Sequence, residues 1–142
     1  MRFQKTFICM FLTVFICAVI VICSEGTLRR SRCTVRNDED ISAFFRYYGY
    51  RIVLPAKSVS YITIPYDFDP DYYKYNLIQQ QAGFNLRLYC GKTVEKRTYI
   101  IDTLTGSHNI VGNILILGGR IIGGDVTDCS DAGFIHPLEG SD

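Results

Sequence analysis

A mainly β fold is predicted for this 142-residue chain: a small antiparallel β-sandwich or barrel with one short N-terminal helix at about 38–48. Three observations carry the prediction. A single run with helical period precedes everything strand-like. Several short β-rich runs follow Tyr50, separated by Pro, Gly or acidic turns. No strand–helix–strand alternation of the parallel α/β kind is visible, and the length suits one modest domain.

The elements are justified in chain order. "MRFQK" is a short cationic start, and no charge occurs from Thr6 to Cys23, the pattern of a secretory signal peptide at 1–23. Cleavage after Cys23 is the first reading, with Ala18 and Gly26 as alternatives. The rival, a retained membrane anchor at 6–23, would place the positive excess before the segment, whereas Arg29, Arg30 and Arg32 lie after it. A basic N-terminal arm at 24–36 follows.

In "NDEDISAFFRYYGY", Asn37 or Asp38 can cap a helix, acids fill the first turn, and Gly49 stands at its exit. Ile41, Phe44, Phe45 and Tyr48 recur at helical spacing and form a core face. "YRIVL" and "SVSYITI" read as strands ended by Pro55 and Pro65. "GFNLRLYC" alternates, with Phe84, Leu86, Leu88 and Cys90 on one face, and Gly91-Lys92 is expected to turn it into "TVEKRTYII". "NIVGNILIL" is apolar on both faces, hence a central covered strand, and pairing of 109–117 with 93–101 is expected. The globular domain is expected at 37–124, with an acidic tail at 125–142.

Composition excludes more than it assigns. Lys and Arg number 15 against 14 Asp and Glu, and removing Arg2 and Lys5 with the leader leaves the chain near balance. A nucleic-acid binder would show a basic excess, so no nucleic acid is expected. No cofactor, metal site or stable membrane insertion after leader removal is expected either.

"GRIIGG" at 119–124 resembles the activation cleavage of trypsin-like serine protease zymogens, where a freed Ile ammonium pairs with an Asp beside the catalytic Ser. Too little chain follows Arg120 for two β-barrels, and "CSDAG" around Ser130 lacks the Gly-Asp-Ser-Gly-Gly context. The stretch therefore reads as a Gly-Gly hairpin. His108 and His136 are the two histidines, and neither stands in a recognisable nucleophile–base spacing.

"YDFDPDYYKYN" places Asp67, Asp69 and Asp71 at alternate positions, but the Gly and Glu of an EF-hand are replaced by Tyr72 and Ile78. Read as a surface loop at 66–76, it offers Tyr66, Asp67, Asp69, Asp71, Tyr72 and Tyr73 as a binding patch, because Tyr gives large contact area at low entropic cost. Of the six cysteines, Cys33, Cys90 and Cys129 follow the leader, and a Cys90–Cys129 disulfide is expected. The functional expectation is an extracellular, secreted, non-enzymatic binding or effector module for a protein, glycan or surface ligand. The alternatives are a secreted hydrolase or protease-pathway component, and a self-associating structural extracellular protein.

Overall fold

The computed structural model describes residues 14, 16, 17, 33–103, 109–130 and 133–139. Two compact units are distinguished, Met1–Arg32 and Cys33–Asp142. In the first, Val14, Ile16 and Cys17 are helical and exposed; the remainder of the expected leader and most of the basic arm lie outside the described residues. Among the described residues, no helix is long and apolar enough to cross a membrane.

The second unit is mainly β: a five-stranded antiparallel sheet with an N-terminal helix, and with a further helix among the described residues. Helix α1, Asp38–Tyr47, begins where Asn37 accepts the Asp40 N–H, with three acids in its first turn favouring the positive end of the helix dipole. Ile41, Phe44 and Phe45 are buried, as their spacing predicts. Strands β1 (Ile52–Thr63), β2 (Thr93–Ile101), β3 (Ile110–Leu117), β4 (Arg120–Asp128) and β5 (Ile135–Pro137) are hydrogen-bonded in chain order. "YRIVL" and "SVSYITI" thus form one strand rather than two, with the irregularity around Pro55 absorbed as a register shift between Val53 and Ser58.

Two hydrophobic clusters flank the sheet. On one face Phe45 and Phe44 of α1 meet Tyr99, Ile101, Ile114 and Val126. On the other, Val94, Leu115 and Ile122 pack with Leu86 and the rings of Tyr72 and Tyr75. Those rings belong to helix α2, Pro70–Gln81, which occupies most of the expected 66–76 loop. β3 therefore has helical cover on both faces, and that is why its sequence is apolar throughout. Both helices supply packing layers to the single sheet.

Three further expectations are corrected. Residues 86–89 form a short 3-10 helix, not a strand; Asn85 accepts the Arg87 N–H and Asn76 accepts the Leu86 N–H, which holds the backbone away from the sheet. Consequently β2 pairs with β1, not with 84–90. The expected tail at 125–142 begins inside the sheet: residues 125–128 complete β4, and β5 adds to its outer edge.

Candidate functional site

The stretch "GRIIGG" opens β4. Leu117 and Arg120 pair across Gly118-Gly119, whose φ values of 56 and 73 give the left-handed two-residue turn that matches strand twist. Cys33–Val35, the described end of the basic arm, lies alongside: Ile121 N–H donates to the Cys33 carbonyl at 2.7 Å, and Val35 N–H donates to the Gly119 carbonyl at 2.8 Å. Beyond them Gly123 and Gly124 let neighbours approach the backbone. A Cβ on Gly124 would stand 2.8 Å from Leu138 Cδ1, and its N–H donates to the buried Gln79 side chain at 2.7 Å. The glycines are explained by close packing on β4.

Cys90 and Cys129 are free thiols, and the expected bridge between them is not formed. Cys90 precedes β2 at the Leu117 end of the sheet. β4 then runs the full height of the sheet before reaching Cys129, whose N–H donates to the Asn109 carbonyl at the opposite end. The eight strand residues between Arg120 and Cys129 carry Cys129 to the end of the sheet away from Cys90, farther than a disulfide spans.

The expected binding residues divide into supports and exposed groups. Asp69 is the cap of α2, accepting the Tyr72 N–H at 2.7 Å, and Pro70 takes the first helical position. Asp71 pairs with Lys74 at 3.6 Å within the helix, and Asp67 is exposed. Tyr72 turns inward, its ring 4.8 Å from Phe68, and its hydroxyl is buried without a hydrogen-bond partner among the described residues. That burial pushes its pKa up.

Tyr66 and Tyr73 remain at the surface. Tyr66 is 78% exposed although its ring rests on Gly91. Arg87, from the 3-10 helix, lies over the rings of Phe68 at 4.7 Å and Tyr73 at 5.8 Å. Leu88 beside it is 74% exposed. The result is an aromatic ledge with a cation laid across it. Arg87 and Leu88 were missed because 84–90 reads as a strand, which would have separated them from the tyrosines, whereas Phe68 lies within the 66–76 stretch itself.

A second feature was invisible in sequence spacing. Register aligns Ser58, Thr98, Asn113, Asp125 and Pro137 in one row across all five strands, on the α2 side of the sheet. Asp125, 2% exposed, accepts from Tyr75, Asn113 and Thr127, each at 2.8 Å. Thr98 donates to Asn113 at 2.8 Å, extending the chain of bonds toward the sheet edge. Burial, together with the neighbouring carboxylate, holds the Tyr75 phenol well above the ordinary tyrosine range. A cleft of about 380 Å³ opens beside this row, with Lys96, Thr127 and Cys129 in its wall. The only sign of it in the sequence is Asn113, a polar residue in the middle of an apolar strand.

On the other face, a cleft of about 460 Å³ is lined by Arg51, Asp102, Asp128, Phe134 and His136. Arg51 pairs with Asp102 at 3.6 Å, and the His136 ring stands edge-on to Phe134. His108 lies outside the described residues.

A family model described as "Domain of unknown function (DUF4830)" matches residues 44–126, more than half of the chain. No curated protein and no solved structure matches it.

Proposed function

The chain belongs to the DUF4830 family, and we propose that it is a non-enzymatic binding module, secreted on the strength of its leader-like N-terminal sequence, whose contact surface is the aromatic ledge at the head of α2. The observation that carries this reading is Arg87 lying over Phe68 and Tyr73, beside an almost bare Leu88. Large apolar groups kept in water contribute nothing to the fold, and a set of them held in fixed orientation suits the burial of a partner. Tyr and Arg are the residue types on which binding energy concentrates, because they combine apolar area with directed polar atoms.

The ledge recognises a protein or glycan surface able to stack on rings and accept from a guanidinium. Asp69 and Tyr72 support it from within, and Tyr66 and Tyr73 make the contact. The test is capture from extracellular fluid of the source, with the wild-type chain and a Tyr66→Ser/Tyr73→Ser/Arg87→Ala variant as parallel baits. A partner retained by the first and released by the second is expected. Equal retention by both, with circular dichroism unchanged, removes the ledge as the site.

A further inference from the structure

The two outer edges of the sheet are treated differently by the chain. The outer edge of β4 is occupied piece by piece. Cys33–Val35 covers residues 119–121, Gln79 takes the Gly124 N–H, and β5 pairs with 125–127. The edge of β1 has no such cover among the described residues. Ile64 exchanges bonds with Lys92 and Gly91 on the β2 side. Alternation then turns Ser60 and Ile62 toward β2, and points the backbone N–H and C=O of Val59, Tyr61 and Thr63 outward. Val59 is 54% exposed and Tyr61 70%.

An edge of this kind is normally guarded by charge, proline or a bulge. Here the register shift and Lys57 guard the first half of β1, whereas Ser58–Ile64 carries no charge and is rich in β-branched and aromatic residues. We infer that this segment is a strand-addition edge at which two copies of the chain pair antiparallel, about a twofold axis through Ser60.

The sequence around Ser60 argues for a second copy as the occupant. Pro55 and Pro65 are equidistant from Ser60, so in this register they fall opposite one another, and the ladder ends where both strands lack an N–H. Val59 comes opposite Tyr61 of the second copy, twice by symmetry, a β-branched–aromatic pair of the stabilising kind. Lys57 falls opposite Thr63 of the second copy rather than its own equivalent, so no like charges meet. An isologous interface requires this self-complementarity. The dimer continues the sheet to ten strands, each half supplying five.

The test uses the full chain with Cys17→Ser and Cys129→Ser, which removes the two exposed thiols among the described residues. Sedimentation should give a dimer. Ser60→Cys should cross-link to its own copy under mild oxidation, because directly opposed residues of a non-hydrogen-bonded pair stand about 4.5 Å apart, within disulfide range. Ser58→Cys, on the same face and equally exposed, should not, since it faces Ile62 of the second copy. Val59→Pro removes an outward N–H that β2 does not use, and Tyr61→Lys places a charge against Val59. Each should raise the dimer dissociation constant by at least about tenfold without changing circular dichroism. A monomer at every concentration, equal cross-linking at positions 58 and 60, or a dimer unaffected by both edge variants would each overturn the proposal. The ledge variants leave β1 untouched, so the two readings fail separately.

Discussion

At Gly124 two neighbours crowd the space of one hydrogen atom, Leu138 from the C-terminal segment at 2.8 Å and the Asn113 carbonyl of β3 at 3.1 Å, while Gln79 of α2 takes the N–H. The carbonyl is part of a strand ladder and cannot retreat without loosening β3. Gly124→Ala should therefore destabilise the fold by about 1–3 kcal/mol, the usual cost of overpacking. Gly118 differs: its φ is 56, but nothing lies within 4 Å of a Cβ placed there. Asn accepts that conformation, so Gly118→Asn should stay within about 0.5 kcal/mol of wild type. Urea denaturation of the two variants checks the contrast, and an unchanged midpoint for Gly124→Ala would show that the neighbours give way. The residues that resemble a zymogen cleavage thus have a role in packing. Their letters suggested a hairpin but could not reveal Gln79 and Leu138, which arrive from distant parts of the chain.

Helix α1 was legible and α2 was not, for a physical reason visible in their buried faces. α1 presents Ile41, Phe44 and Phe45, a stripe of unmistakable period. α2 buries Asn76 and Gln79, with tyrosines beside them, so no apolar stripe marks it. Its start signal was present all the same: Asp69 followed by Pro70 is an N-cap with proline at the first helical position. The cap separates the carboxylates of that stretch by role. Asp69→Ala should cost about 1 kcal/mol of stability, whereas Asp67→Ala should be nearly neutral. Thermal unfolding of both variants decides it, and equal shifts would mean that the Tyr72 N–H finds another acceptor. The same contrast explains 84–90. Alternation alone read Phe84, Leu86, Leu88 and Cys90 as one strand face, but Leu88 is exposed and Asn76, ten residues before Leu86, sets the backbone of the turn.

At the scale of the whole molecule, the central pairing of 93–101 with 109–117 follows from local signals, since a short connection between two β-rich runs leaves few alternatives. The placement of α2 against the far face rests instead on long-range contacts: ring packing, the Gln79 bond to Gly124, and the polar contact between Tyr75 and Asp125. That contact makes stability depend on alkaline pH. An unfolded tyrosine loses its proton near pH 10, while the folded Tyr75, desolvated and facing a carboxylate, keeps it to higher pH. Tyr72 and Tyr99 are raised in the same direction by burial. The unfolded chain then binds fewer protons than the folded one. Stability is intact below about pH 10 and falls as pH rises above it, by up to about 1.4 kcal/mol per pH unit for each such group. Tyr75→Phe should cost about 1 kcal/mol at pH 7 through the lost hydrogen bond, yet show a shallower alkaline decline because one titrating group has gone. Urea midpoints from pH 8 to pH 11.5 for the two proteins test this. Parallel declines would mean that Tyr75 ionises alike in the folded and unfolded chains, and that the helix is held to the sheet without it.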